Sequence, residues 1–244
     1  MSARLLLVDD HTLFRTGLRL IVQDHPSVGS IAEAGSVAEA CALQMADADL
    51  VLLDIQLPGM SGLELLTQLK EMQPDIGVIM ITAFASPDDA VAEPLYKLCE
   101  RYNKPVVFHA GMSWEPGAEL SRSNPLAFEH TIATHPNVRF SLTHFGWPWV
   151  RETVAMLLKY PNCYTDTSIT YIDSPEEMMQ RLFTVDMGPL WYERALSHQV
   201  MFASNTPRFR AFKLKRALDT VPMRDDARER LYWGNALRFL EGDE

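Results

Sequence analysis

The sequence lacks the features of membrane proteins and of disulfide-rich proteins. Among its 244 residues no apolar run is long enough to span a bilayer, and we find no signal peptide. Its three cysteines, Cys41, Cys99 and Cys163, are widely spaced and form no CxxC pair. That spacing argues against a disulfide framework and against a cysteine zinc site. These absences predict a cytoplasmic protein with no membrane partner.

Positive charge is also scarce, above all near the N-terminus. The net charge is −10, and residues 1–86 hold 4 basic against 11 acidic side chains. Because no basic cluster alternates with aromatic residues, we expect no nucleic-acid partner. The chain has no Gly/Ser linker either, and its 47% hydrophobic and 22% charged residues are typical of a globular protein.

Short apolar runs alternate with longer amphipathic segments along the whole chain. The predicted strands are RLLLV (4–8), SIAEAG (30–35), LVLLD (50–54), GVIMIT (77–82), PVVFH (105–109), VRFSLTH (138–144), NCYTD (162–166) and VMFAS (200–204). Apolar residues recur at helical spacing between them, for example over 13–22 and 150–158. Several strands are apolar on both faces, as parallel strands covered by helices are. Eight βα units in this length predict an α/β fold of the (βα)8 TIM-barrel type.

Three carboxylates follow or end predicted strands in the first third of the chain. Asp9 and Asp10 come directly after LLLV, and Asp54 ends LVLLD. Since the C-terminal ends of parallel strands converge, we expect the three to share a shallow pocket. Their oxygens suit Mg²⁺, which bridges to phosphoryl groups, and one carboxylate can accept such a group as a nucleophile. The alternative for Asp10 is an ordinary helix N-cap.

The segments LLLVDDHTLFRTGLRLIV, LVLLDIQLPGMSGLELL and VIMITAFAS resemble the receiver domain of bacterial response regulators, over roughly residues 3–86. The resemblance implies a flavodoxin-like fragment in which Asp9 and Asp10 hold Mg²⁺ and Asp54 accepts the phosphoryl group. It also implies that the Thr82 hydroxyl binds a phosphoryl oxygen. The loop after the acceptor would be shaped by Pro58, Gly59 and Gly62.

The fifth predicted strand departs from the receiver pattern. In a receiver this strand ends in a lysine whose ammonium neutralises phosphoryl charge, whereas here it ends in Phe108-His109, with Lys104 at its other end. A charge-assisted contact is therefore missing.

His109 and His144 end consecutive predicted strands. Barrel active sites lie at the C-terminal ends of the strands, and imidazole is a common zinc ligand, so the pair can converge on one Zn²⁺ ion. The alternative is that both are hydrogen-bonded structural residues.

From about residue 90, the segments DDAVAEPLYKLCERYNKPVVFHAG, NVRFSLTHFGWPWV, VMFASNTPRF and ERLYWGNALRFL resemble the C-terminal half of a metal-dependent amidohydrolase. The subgroup contains hydrolases and decarboxylases on a TIM barrel. The resemblance implies metal-ligand or substrate-orienting roles for His109 and His144. The family has an aspartate on its last strand where this chain has Asn205, a neutral amide that cannot take a proton from water. Asp166 and Asp173 are interpreted as remnants of substrate-binding loops.

Each resemblance stops within residues 84–95, where the other begins. We therefore predict a receiver-like fragment over 1–88 and an amidohydrolase-like half-barrel over 89–244, together forming one barrel domain. Natural fusions keep whole domains, because half a core exposes apolar edges. We interpret the chain as an engineered chimera without evolved catalysis and with no required cofactor. Two alternatives stay open: an Mg²⁺-dependent phosphorelay receiver using Asp54, and a residual metal-dependent hydrolase or decarboxylase.

The strand orders of the two parent folds conflict. A receiver sheet runs 2-1-3-4-5, whereas barrel strands follow one another in sequence order. Either the order rearranges or barrel closure is imperfect, and imperfect closure leaves open strand edges. We therefore expect a monomer or a homodimer that pairs through such edges.

Overall fold

The computed structural model describes residues 2–43, 47–81, 92–114, 118–168, 174–206 and 208–242. The chain divides into two compact units, Met1–Ala83 and Phe84–Glu244. Each unit contains a parallel four-stranded sheet and its own hydrophobic cluster. The fragment boundary predicted at 88/89 falls among residues 82–91, outside the described residues.

Strands and helices alternate in the first unit. Its elements are β1 (Ala3–Val8), α1 (Thr12–Val22), β2 (Val28–Ala34), α2 (Val37–Ala42), β3 (Leu50–Asp54), α3 (Gly62–Met72) and β4 (Gly77–Ile81). The strands are all parallel, in the order β2-β1-β3-β4. This is the order of a receiver sheet, so the first unit has not rearranged to sequence order.

The central strand of this sheet carries the core. Four successive residues of β1, Leu5 to Val8, are buried, as expected for a strand covered on both faces. Helix α3 contributes the buried Leu65 and Leu69, whereas α1 buries no residue and leaves Leu13 89% exposed. The first helix is attached instead by ion pairs from Arg15 and Arg19 to Glu33 of β2.

Strand order differs in the second unit. Its strands are β5 (Val106–Phe108), β6 (Phe140–Leu142), β7 (Cys163–Asp166) and β8 (Val200–Met201), parallel and in sequence order. Its α-helices are α4 (Glu93–Arg101), α5 (Glu129–Thr134), α6 (Val150–Lys159), α7 (Pro175–Arg181), α8 (Ala211–Asp219), α9 (Asp225–Glu229) and α10 (Asn235–Glu241). Short 3₁₀ turns cover Leu120–Ser123, Pro125–Phe128 and Thr143–Gly146, and π-helical turns cover Leu182–Asp186, Tyr192–Leu196 and Arg230–Gly234.

Stacked aromatic rings form the centre of the second core. The Phe108 ring stacks on Phe128 at a centroid distance of 4.7 Å and on Phe140 at 5.5 Å.

A side-chain amide holds a turn of the second unit in place. Gln199 Nε2 donates to the carbonyl oxygens of Leu157, Tyr160 and Cys163 at 2.8–3.0 Å. Partly buried carbonyls at the end of α6 and the start of β7 thereby obtain hydrogen-bond partners.

The eight predicted strands and the two helices predicted over 13–22 and 150–158 are confirmed. Strands of the second unit are shorter than predicted because turns interrupt them; the run predicted over 138–144, for example, ends as a strand at Leu142. The fold is mixed α/β, and closure of the strands into one barrel stays a prediction. Every helix among the described residues is too short or too polar to cross a bilayer.

Candidate functional site

An acidic cluster lies at the C-terminal end of the first sheet. β1 and β3 are neighbours in register, with Val8 opposite Leu53, so Asp9 directly after β1 lies beside Asp54 at the end of β3. Ligand atoms of Asp9, Asp10, His11 and Asp54 all lie within 4.8 Å of one another. The three carboxylates named from the sequence are thus brought together, and His11 joins them. The sequence analysis had not counted His11 as a site residue, although it follows the Asp pair directly.

Local hydrogen bonds hold the carboxylates in place. The backbone N–H of His11 donates to Asp9 Oδ1 at 2.7 Å, and the backbone N–H of Gln56 donates to Asp54 Oδ1 at 3.2 Å. The guanidinium of Arg15 donates to the Asp9 carbonyl oxygen. The imidazole Nδ1 of His11 lies 2.9 Å from Asp10 Oδ1 and 3.4 Å from Asp9 Oδ1.

The electrostatics of the cluster favour a cation. Burial raises the pKa of Asp54, and the neighbouring carboxylates of Asp9 and Asp10 raise it further, while backbone N–H donors from Gln56 and Ile55 oppose the rise. Among the described residues of the first unit, the arginine and lysine side chains form no ion pair with these carboxylates. They are engaged elsewhere: Arg4 with Asp49, Arg15 and Arg19 with Glu33, and Lys70 with the carbonyls of Pro74 and Ile76.

These donors fit Mg²⁺ because they present several carboxylate oxygens at one point, and the described arginine and lysine side chains of the unit form their ion pairs and hydrogen bonds with other groups. Asp9, Asp10 and Asp54 would hold the ion, which would supply charge neutralisation for an incoming phosphoryl group.

The loop after Asp54 depends on two glycines. Gly59 has φ +91°, a backbone conformation that favours glycine. A Cβ at Gly62 would lie 2.0 Å from the Asp54 carbonyl oxygen, so only glycine lets α3 start this close to β3. Ser61 caps α3 in a capping box with Glu64. Thr82, the predicted phosphoryl-binding hydroxyl, lies outside the described residues.

A histidine pair lies at the C-terminal ends of β5 and β6. His144 Nε2 is 3.3 Å from His109 Nδ1, and the ring centroids are 4.8 Å apart. The structure therefore brings together the two histidines that the sequence placed at strand ends. Desolvation lowers the pKa of His109, the neighbouring His144 lowers it further, and Asp166 opposes both effects.

Asp166 and Ser168 fix the position of His144. The Asp166 carboxylate, at the end of β7, accepts from the backbone N–H of His144 at 3.1 Å and from the backbone N–H of Ser168 at 2.9 Å. The Ser168 hydroxyl also donates to this carboxylate. His144 Nδ1 lies 2.9 Å from the Ser168 carbonyl oxygen and 2.7 Å from its hydroxyl. A proton on Nδ1 therefore bonds to the carbonyl and leaves Nε2 facing His109.

The turn that carries His144 has a strained backbone. His144 and Phe145 have φ of 60° and 51°, in the left-handed region that side chains other than glycine adopt at a cost. Gly146 follows with φ 60°, and a Cβ there would lie 2.1 Å from Thr153 Oγ1. Such strain persists where surrounding contacts hold it and is common at functional sites.

The histidine pair does not fit a complete zinc site. Protein zinc sites use three or four ligands, and the described residues contain one group of three or more potential ligands, which is the acidic cluster. Asn205, which stands where the related family has aspartate, has φ 56° and offers only an amide. Sequence reasoning missed Ser168, although an Asp-x-Ser sequence directly after a strand is a signal for a side-chain-capped turn.

Comparisons with known proteins divide the chain in a similar way. The family model described as Amidohydrolase matches residues 77–242, and the Response regulator receiver domain model matches residues 5–97. A structure of an uncharacterized TIM-barrel protein from Bordetella bronchiseptica aligns with a TM-score of 0.56 over 84% of this chain and 71% of that chain. Its sequence identity is 23%, so the likeness concerns the fold alone.

Curated relatives match the N-terminal region. The nitrate/nitrite response regulator protein NarL of Escherichia coli is 33% identical over 90 residues, and the DNA-binding transcriptional activator DevR/DosR of Mycobacterium tuberculosis is 37% identical over 93 residues. The matches take in 36% and 38% of this chain but only 42% of each relative. By its longest family match the chain belongs to the amidohydrolase family, joined to a segment that resembles a response regulator receiver domain.

Proposed function

We propose that the first unit is an Mg²⁺-dependent phosphoacceptor. The observation that carries the proposal is the convergence of Asp9, Asp10 and Asp54 within one ligand sphere, in a segment that matches the receiver family. In the reaction a carboxylate oxygen of Asp54 attacks the phosphorus of an acyl phosphate. The new bond is a mixed anhydride, and the P–O bond to the leaving carboxylate breaks. Mg²⁺ held by Asp9, Asp10 and Asp54 would supply charge neutralisation for the phosphoryl group.

Phosphodonor labelling tests this function. Incubation with acetyl phosphate and Mg²⁺ should add one phosphoryl group per chain, detected by intact mass and mapped to Asp54. The label should vanish with a chelator and in Asp54→Asn. Asp75→Asn is the matched control, because it removes an exposed carboxylate of the same unit outside the cluster. Labelling that survives Asp54→Asn, or no labelling of the parent protein, would overturn the proposal.

The chain lacks the lysine that ends the fifth strand in the receiver pattern, and this limits the conformational change that phosphorylation can cause. Lys70, the lysine among the described residues of the first unit, donates to the carbonyls of Pro74 and Ile76, so phosphorylation lacks the charge-assisted contact that the receiver pattern supplies. The expected product is a phosphorylated chain with a weak conformational response. A chemical-shift map with and without phosphodonor should therefore show changes confined to the acidic cluster.

The second candidate function is an amidohydrolase-type hydrolase or decarboxylase in the second unit. The observation that favours it is the oriented pair of His109 and His144, backed by Asp166. No step through a metal is proposed, because two imidazoles do not complete a zinc set. Turnover of an ester, lactone or carboxylate substrate should be lost in His109→Ala and kept in His130→Ala, an exposed histidine outside the pair.

The origin of the chain remains part of the proposal. Two partial domains with different strand orders, 2-1-3-4 and 5-6-7-8, support an engineered chimera intended to form a single barrel rather than a natural fusion of whole domains. On this hypothesis the second unit has no evolved catalysis, and defined turnover abolished by His109→Ala would contradict it.

Partner predictions follow from charge and strand edges. One relative is named as DNA-binding, and the chain spans less than half of it. With 4 basic and 11 acidic side chains over residues 1–86, we expect no nucleic-acid binding by this region, to be checked by a gel-shift assay. Sedimentation velocity separates the expected monomer from a homodimer.

A further inference from the structure

Basic side chains are concentrated in one short segment of the second unit. Residues 208–216, RFRAFKLKR, hold five basic and no acidic side chains, while the rest of the chain holds 17 basic and 32 acidic ones. The segment also contains two phenylalanines, so the expectation that no basic cluster alternates with aromatic residues was wrong. A local excess of positive charge on an acidic protein attracts an anionic partner to that place alone.

Helix α8 displays most of this segment to solvent. The helix buries Leu214, Ala217 and Leu218, which lie on one face at helical spacing. Phe212 lies on the opposite face and is 54% exposed, although a phenyl ring gains free energy when it leaves water. Arg216 follows Phe212 by one helical turn, so a cation is a direct neighbour of the exposed ring.

Three of the five cations have no acidic partner. Arg210, Lys213 and Arg216 are exposed and form no ion pair within the described part of the chain. Lys215 differs, because its ammonium lies 3.0 Å from Asp219 at the end of the helix. The positive charge around Phe212 is therefore not neutralised by the protein itself.

A second exposed aromatic ring lies beside these cations. The guanidinium of Arg208 lies over the ring of Trp114, 4.4 Å from its centroid, and Trp114 is 48% exposed. Trp114 follows β5 and Arg208 follows β8, so the contact joins two loops of the second unit. Together these residues form a surface that we call the basic patch: Trp114, Arg208, Arg210, Phe212, Lys213 and Arg216.

We propose that the basic patch attaches this protein to the surface of an anionic phospholipid bilayer. Lysine and arginine side chains bind the headgroups, and the rings of Phe212 and Trp114 enter the interface below them. The expectation of no membrane partner rested on the absence of a spanning segment, and attachment at the surface requires none.

The arrangement of the patch favours a bilayer over a nucleic acid. Cations precede and follow Phe212 on the exposed face of one helix, which matches a plane of anionic headgroups above an apolar layer. Binding of a single-stranded nucleic acid instead uses a groove of cations with several rings on which successive bases stack. Because the rest of the chain is acidic, the attachment should be reversible and sensitive to salt.

Cosedimentation with vesicles tests the proposal on the full chain. One set of vesicles contains equal parts of phosphatidylcholine and phosphatidylglycerol, and the other contains phosphatidylcholine alone. The test variant combines Arg210→Gln, Lys213→Gln and Arg216→Gln; Arg210 makes no side-chain cap on α8, so the helix start is kept. The matched control combines Lys104→Gln, Arg151→Gln and Arg194→Gln, three exposed basic residues of the same unit outside the patch.

The parent should bind the anionic vesicles at low salt and should not bind phosphatidylcholine alone. Each basic side chain near an anionic surface raises the partition coefficient about fivefold, so the test variant should bind about 100-fold more weakly than the parent. The control variant has the same net charge as the test variant and should bind like the parent. Phe212→Ala should also weaken binding, and circular dichroism checks that every variant is folded.

Three results would overturn the proposal. The first is a parent that does not bind anionic vesicles at low salt. The second is an equal loss of binding in the test and control variants, which would show that net charge acts rather than the patch. The third is binding of a single-stranded oligonucleotide that the test variant loses, with no binding to vesicles. None of these results bears on labelling of Asp54 or on turnover at His109.

Discussion

The two units place polar groups at strand ends in opposite ways. In the first, Asp9 and Asp54 lie side by side with like charge, and the described arginine side chains of that unit form their ion pairs with other carboxylates. In the second, His144 is held by Asp166 and Ser168, and its remaining nitrogen faces His109. The carboxylates of the first unit repel one another, and a bound cation would reduce that repulsion. The polar groups at these strand ends of the second unit already have hydrogen-bond partners.

This difference distinguishes a binding site from a positioned pair. Clustered carboxylates gain free energy when a cation arrives, because it removes their repulsion. A hydrogen-bonded imidazole pair has no such need, and its orientation is useful only if a substrate enters. The first unit therefore gives the more direct proposal, and the second gives a prepared geometry whose chemistry depends on ligands that the chain lacks at Asn205.

Truncating a core side chain of the second unit should cause the largest loss of stability. Phe140 is fully buried and stacked on Phe108, so Phe140→Ala should cost about 3–5 kcal/mol through lost transfer free energy and a cavity. The measurement is urea unfolding followed by the near-ultraviolet signal. Val107→Ala on β5 is the control, because Val107 is 59% exposed, and a similar cost for both variants would contradict the described core.

The next largest loss of stability should come from removing side chains that donate hydrogen bonds to carbonyls in turns, and it should differ between the two units. Gln199→Ala removes a donor from three carbonyl oxygens, of which that of Tyr160 keeps the Cys163 N–H, and should cost about 1–3 kcal/mol. In the first unit Lys70 plays a similar part, donating to the carbonyls of Pro74 and Ile76. Because the bond from Lys70 to the Pro74 carbonyl is exposed, whereas all three bonds of Gln199 are partly buried, Lys70→Ala should cost less. An equal loss of unfolding free energy in Gln199→Ala and Lys70→Ala would contradict this prediction.

Asp54→Asn should stabilise the metal-free protein at neutral pH. The raised pKa means that folding disfavours the charged carboxylate, so stability falls as pH rises from the ordinary value of 3.8 through the raised pKa. Above that window the cost is fully present, and below 3.8 it vanishes. The free energy of unfolding of the variant should therefore exceed that of the parent near pH 7, and the two should converge below pH 3.8. Unfolding curves of parent and variant, measured near pH 7 and below pH 3.8, test the sign of this change in stability. A lower stability of Asp54→Asn near pH 7 would refute the prediction.

Loss of the capping box should give the smallest effect. Ser61→Ala removes the hydroxyl that accepts from Leu63 N–H at the start of α3, for a cost of about 0.5–1 kcal/mol. Ser174→Ala tests the matching cap of α7, where the hydroxyl accepts from Glu177 N–H. The two costs should be alike in thermal unfolding, because a local cap depends little on the sheet it precedes.

Periodicity and strand-end residues were readable from the sequence because they are local. The eight strands, α1 and α6 follow from apolar spacing, and Asp9, Asp54, His109 and His144 are marked by their places at strand ends. The reach of His11 into the cluster was not readable, because a histidine at an N-cap position usually indicates only a helix start. Ser168 was missed for a similar reason, since its partner His144 is 24 residues away in the chain.

The sequence by itself determined the α/β class, the parallel strands and the residue types at each strand end, because hydrophobic periodicity and neighbouring residues encode them. Only the tertiary structure decided that β1 lies between β2 and β3, whereas β5 to β8 follow one another in order. The reason is that strand order depends on how each helix crosses its sheet and covers it, which is a non-local choice. That choice places Asp9 beside Asp54 and His109 beside His144.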